Sequence, residues 1–216
     1  MVDGVIYMSS SLEEETLDII NELDLKTVLV ETKDKEGRLP SVYIDNIEAT
    51  YEATKHLLDK GIKNIAFIGV DKSSANAWGD RYIGYEKALN EAGITVDEDL
   101  VYFEGLKVKS GYVASEKFLA SGKNFDGIIC ASDEIAMGAI NGLREKGVNT
   151  PEDVSVIGFN DNVVASYFYP KLTTVKQPSY DMGSVAMRML IKILNNKPLE
   201  KAEFILKHEL IERESC

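Results

Sequence analysis

Apolar positions along this chain follow two alternating rhythms. Short, nearly continuous runs take turns with stretches in which apolar residues recur every three or four positions. The first rhythm marks strands and the second marks helices. Residues 2–8 read as a strand, and 12–23 as a helix with Leu17, Ile20 and Leu23 turned inward. Strands follow at 27–31 and 42–45, separated by a charged loop at 33–40. Asp45 stands where a helix N-cap belongs, with Glu48 placed as in a capping box. That helix carries Ile47, Tyr51, Thr54, Leu57 and Leu58 on one face and stops at Gly61.

The alternation continues with strands at 64–70, 100–104, 127–131 and 154–159, and helices at 80–92, 111–119 and 134–146. The run 64–70, NIAFIGV, is apolar nearly throughout, as in a parallel strand covered on both faces. Helix 180–195 sets Met182, Val185, Ala186, Met189, Leu190, Ile193 and Leu194 on one stripe, which reads as core rather than a cofactor box. Residues 203–211 read as one closing strand. Strands alternating with helices predict βαβ units, an α/β fold with parallel sheets. In such sheets ligands bind outside the carboxyl ends of the strands. Two of those ends are polar: Asp133 follows the run 127–131, and Asn160 and Asp161 follow 154–159.

Composition changes this picture little. The chain has 216 residues, 44% hydrophobic and 28% charged, as in an ordinary globular protein. Its net charge of −12 argues against gripping a nucleic-acid backbone unaided, because such binding needs Lys and Arg to neutralise phosphates. The two cysteines, Cys130 and Cys216, form no framework and fit a reducing compartment. The N-terminus lacks the pattern of a signal peptide, and no apolar run approaches the roughly 20 residues that span a bilayer. A cytoplasmic location without membrane attachment is expected.

The catalytic motifs sought are missing. Neither GxGxxG nor GxxxxGK[ST] occurs, nor a GxSxG elbow. His56 and His208 have no ligand-type neighbour at zinc spacing, so no metal and no cofactor is expected. Asp133 admits three readings: a helix N-cap, an acceptor for ligand hydroxyls, or a phosphoaspartyl-type nucleophile. The last needs a Mg²⁺ shell, and only Glu134 stands beside it. Arg81 opens a helix, where the dipole disfavours a cation. It reads either as a salt-bridge partner of Asp80 or as a fork of donors aimed at hydroxyls or an anion. Trp78, the only tryptophan, lies in the loop 71–80 and either stacks on a sugar ring or covers the core.

Several long motifs, in order, resemble one family. ASDEIAMGAINGLREKGVNTPEDVSVIGFND, LPSVYIDN, RYIGYEKALNEAG and LTTVKQPSYDMGSVAMRML are similar to the effector-binding core of the lactose-repressor/galactose-repressor (LacI/GalR) regulators. VDGVIYM, LPSVYIDN and QPSYDMG are most like the catabolite control protein A branch. The resemblance implies two Rossmann-like subdomains of the periplasmic-binding-protein kind: 1–45 with 160–188, and 46–159 with 189–216. It places Arg81 and Asp133 on ligand-contacting positions and Glu31 on a further acidic one. It also implies a helix-turn-helix and a βαβα stretch upstream, so that an intact homodimeric repressor would bind DNA and this chain alone would not. The first subdomain would then be incomplete. EGLKVKSG lacks an aromatic that many members place there to stack on a sugar. In the catabolite control branch the co-regulator is the serine-phosphorylated phosphocarrier HPr, and Lys146 and Arg144 would meet its phosphate. Alternatives are a free-standing sugar-binding protein and an Asp-nucleophile phosphatase.

Overall fold

The structure, a computed structural model, describes residues 2–72 and 76–216. In chain order it begins β1 (Gly4–Met8), α1 (Glu14–Glu22), β2 (Lys26–Val30), β3 (Ser41–Ile44), α2 (Asn46–Asp59) and β4 (Ile65–Gly69). It continues α3 (Ala77–Glu91), β5 (Val101–Phe103), α4 (Val108–Ala120), β6 (Gly127–Cys130), α5 (Asp133–Glu145) and β7 (Ser155–Asn160). It ends β8 (Thr173–Lys176), α6 (Ser179–Leu194), β9 (Glu203–Leu206) and β10 (Glu209–Ile211).

Two compact units result. The first holds residues 2–45, 76–77 and 178–207, and the second holds 46–72, 78–177 and 208–216. In the first unit the sheet runs β1-β2-β3-β9, all parallel. Met182, Ala186, Met189 and Leu190 of α6 are buried, and the helix packs on β1, β2 and β3. The loop between β2 and β3 is charged yet ordered. Asp34 is buried and accepts from Arg38 Nε and Nη2 at 2.9 and 2.8 Å and from the Arg38 backbone N–H at 2.7 Å.

The second unit carries a six-stranded sheet, β10-β8-β7-β6-β4-β5, in which only β10 is antiparallel. Every residue of β4 and β6 is buried, as the unbroken apolar runs require. Between α4 and α5 the packing is backbone to backbone. A Cβ on Gly111 would collide with the carbonyl of Ile135, and one on Gly138 with the carbonyl of Val108. Small residues here set the distance at which the helices cross.

Four expectations are corrected. Residues 160–177 belong to the second unit, because β8 pairs with β7, and 189–207 belong to the first, because α6 packs as one piece on its sheet. The closing strand 203–211 is two strands in two sheets. Nothing in its composition marks the break at Lys207 and His208. Leu23 caps α1 and is 64% exposed, and α2 buries Ala49, Thr50, Ala53, Thr54 and Leu57 rather than its bulkier Ile47, Tyr51 and Leu58.

Candidate functional site

The strand order of the second unit creates a switch point. From β4 the chain passes to β5 at the sheet edge and returns to β6 on the other side of β4. Open α/β sheets bind ligands at the carboxyl ends of strands beside such a point. The side chains gathered at those ends come from the starts of α2, α3 and α5 and from the residues after β7.

Arg81 is their centre. It lies in the first turns of α3, which begins at Ala77, so Trp78 is helical rather than in a loop; residues 73–75 of the expected loop lie outside the described residues. The helix is anchored by Tyr82 and Tyr85, which pack on Phe67, and Tyr85 donates to the carbonyl of Ile65 at 2.7 Å. The Arg81 side chain is fully buried. Its Nε donates to Asn46 Oδ1 at 2.9 Å and its Nη1 to the Ala131 carbonyl at 2.6 Å. The guanidinium carbon stands 3.7 Å from the Phe159 ring centroid and 4.6 Å from that of the half-buried Trp78. Stacking on aromatic faces compensates for the water such a cation loses.

Asp133 sits in the first turn of α5, but the cap is Ser132, whose hydroxyl accepts from the Ile135 N–H at 3.2 Å. The Asp133 carboxylate is fully buried. It accepts from the Asn162 N–H and from the Thr174 hydroxyl, each at 2.6 Å. Burial pushes its pKa up to about 7, against the lowering effect of those two donors; the nearby Glu134 and Asp161 charges push it further up. Neither of its oxygens is exposed. Among the described residues no cluster of three or more His, Cys, Asp or Glu could hold a metal ion.

Asn160 and Asp161 are partly exposed at the end of β7. Asn160 Oδ1 accepts from Gln177 Nε2 at 2.8 Å, and Asp161 Oδ1 accepts from Arg213 Nη2 at 2.6 Å. Their polarity at a strand end is visible in sequence. The partners Asn46, Thr174, Gln177 and Arg213 are not, since each arrives from a distant segment.

A model of the periplasmic binding protein-like domain matches residues 54–216. The HTH-type transcriptional regulator RegA of Clostridium saccharobutylicum is 66% identical over 215 residues, covering 100% of this chain and 65% of that protein. The crystal structure of the transcription regulator CcpA of Lactococcus lactis matches with a TM-score of 0.91 at 37% identity, covering 99% of this chain and 78% of that one. The chain belongs to the LacI family of regulators. It corresponds to their effector-binding domain and spans 65% of the length of RegA. The regulator CelR, solved as a cellobiose complex, matches this LacI-family domain with a TM-score of 0.92 at 31% identity, covering 100% of this chain and 66% of that one.

Within the LacI-family domain, Arg81, Trp78 and Asp133 share the second unit, whereas Glu31 directly follows β2 in the first, with a φ of 72°. Lys146 caps the far end of α5, on the order of 20 Å from Asp133 along the helix axis. Its ammonium pairs with Glu116 at 2.9 Å, and Arg144 Nη2 donates to Asn141 Oδ1 at 2.6 Å. No described helix is long and apolar enough to cross a membrane.

Proposed function

We propose that this chain is the non-catalytic sensor of a cytoplasmic transcription regulator of the catabolite control type, and that its effector is a sugar or sugar phosphate. The supporting observation is the buried Arg81 guanidinium, over the rings of both Phe159 and Trp78 at the carboxyl ends of β6 and β7. Trp78 offers a flat face to a sugar ring, and Asn160 and Asp161 offer acceptors to its hydroxyls. Displacement of Trp78 exposes the Arg81 donors to hydroxyls or to an anionic group. Titration with cellobiose and with glucose 6-phosphate tests the reading. A saturable change in Trp78 fluorescence with either supports it, and neither fluorescence change nor heat with both rejects it.

For the phosphorylated carrier HPr, the surface of Lys146 and Arg144 has a competitor in the first unit. Arg188, Lys192 and Lys201 rim a groove in the first unit whose floor includes Val185, Met189 and Phe204. A phosphoserine next to an apolar side chain matches cations around an apolar floor. Charge reversal at Arg188 should abolish binding of phosphoserine HPr, whereas reversal at Lys146 should leave it unchanged. The opposite result returns the site to α5. Val163, Val164, Tyr167 and Tyr169, exposed by 57–83% beyond β7, supply an apolar patch for self-association of the regulator.

A further inference from the structure

Asn160 and Asp161 are consecutive non-glycine residues with φ of 109° and 56°. Both lie in the left-handed region, which side-chain-bearing residues persist in only when their surroundings over-determine the backbone. The surroundings do so here through a short chain of hydrogen bonds. The Asp161 N–H donates to Thr174 Oγ1 at 3.4 Å, the Thr174 hydroxyl donates to Asp133 Oδ1 at 2.6 Å, and Asp133 Oδ2 accepts the next backbone N–H, that of Asn162, at 2.6 Å. Asp133 therefore grips two successive peptide units of the turn, one directly and one through Thr174. Beside it Glu134 Oε1 accepts from Asn162 Nδ2 at 2.8 Å, and Arg213 holds Asp161 from the other side. Gly158 leaves the space for this grip, because a Cβ there would meet Asp133 Oδ1.

We propose that Asp133 is a positioning residue: it holds the turn of Asn160, Asp161 and Asn162 in the conformation that binds the effector, and does not touch the effector itself. The proposal rests on the reading of the strand ends as the effector site. A contact residue and a positioning residue differ in what replaces them. Asparagine at position 133 keeps an oxygen for the Asn162 N–H and offers its amide N–H₂ to Thr174 Oγ1, so the grip survives although the charge is gone. Alanine removes it.

The test has two arms, run on Asp133→Asn, Asp133→Ala and Thr174→Val. In the first, hydrogen exchange of the Asn162 amide is read by NMR. It should quicken by about tenfold or more in Asp133→Ala, less in Thr174→Val, and stay within about threefold in Asp133→Asn. In the second, calorimetry uses whichever of cellobiose and glucose 6-phosphate binds the parent protein more tightly. Affinity should fall about tenfold or more in Asp133→Ala and be kept within about threefold in Asp133→Asn. Equal loss in the Asn and Ala variants makes Asp133 a direct contact and overturns the proposal, as does unchanged exchange in Asp133→Ala. Should Asp133→Ala fail to fold, Thr174→Val carries the loss-of-grip arm. If neither sugar binds the parent protein, the effector reading fails, while the exchange arm still decides whether Asp133 holds the turn.

Discussion

The Arg81 guanidinium carbon lies over the Phe159 ring, 3.7 Å from its centroid, and over the Trp78 ring, 4.6 Å from its centroid. Trp78 is the only tryptophan in the chain, so its emission reports this stack alone. Arg81→Lys keeps the charge but loses the planar fork that reaches both Asn46 and Ala131. We expect effector affinity to fall by about 2 kcal/mol, roughly thirtyfold, with Trp78 emission shifted even without ligand. Unchanged emission and affinity would show that the stack plays no part.

The Asp133 carboxyl has a pKa of about 7 in the folded chain, above its ordinary value of 3.8. Between those values the folded state holds a proton that the unfolded state has released. Stability therefore falls as pH rises through this window, by at most about 1.4 kcal/mol per pH unit, and levels off above pH 7. Denaturant unfolding of the parent and Asp133→Asn proteins at pH 5, 6, 7 and 8 should show the parent losing stability relative to the variant. A constant difference across the series would contradict the assignment.

Asp34 behaves in the opposite way. Its hydrogen bonds with the Arg38 side chain hold its pKa down to about 2. The stabilisation is present above pH 3.8 and is lost as pH falls towards 2. Asp34→Asn should remove this acid-side dependence and loosen the loop from Lys33 to Pro40. Protease cleavage at Lys35 or Arg38 that speeds up in the variant at pH 7 is the expected sign, and equal cleavage rates would count against it.

Gly138 and Gly183 form a matched pair of helix glycines. A Cβ at Gly138 collides with the backbone of α4, whereas one at Gly183 meets nothing within 4 Å. Gly138→Ala should destabilise by about 1–3 kcal/mol or more. Gly183→Ala should stabilise by up to about 1 kcal/mol through helix propensity and a less flexible unfolded chain. Thermal melts of the two variants shifting in the same direction would refute this account of α4 and α5.

Tyr167 and Tyr169 are 83% and 78% exposed. Replacing both with Ser should leave the melting temperature of the dilute protein nearly unchanged and lower its sedimentation-derived mass at high concentration. An unaltered mass would move the self-association surface elsewhere.

Periodicity locates most strands because β4, β6 and β7 bury both faces and so read as unbroken apolar runs. It misses β8, whose TTVK is threonine or lysine at three of its four positions, because that strand gains its place through Asp133 and Ser215 rather than through apolar bulk. It misplaces the core face of α2 because Ala49, Ala53 and Thr50 are small enough to pack closely, while Tyr51 reaches outward to Glu91 at 2.7 Å. Arg81, Trp78 and Asp133 are legible as candidates from sequence. Their division of labour is not, because burial and the partners Asn46, Thr174 and Asn162 are decided by contacts 29–41 residues away.

The pairing of β9 with β3 joins residues some 160 positions apart, as Tyr43 and Glu203 show with a side-chain hydrogen bond at 2.7 Å. On the ribosome, β1, β2 and β3 therefore emerge long before α6 and β9, which pack on and pair with them. The second unit, nearly continuous from 46 to 177, has most of its sheet in hand before α6 is synthesised. The second unit can therefore pair most of its strands while β1, β2 and β3 still lack α6 and β9. Nascent chains stalled before residue 178 should therefore engage chaperones through β2 and β3, and release them once α6 has emerged.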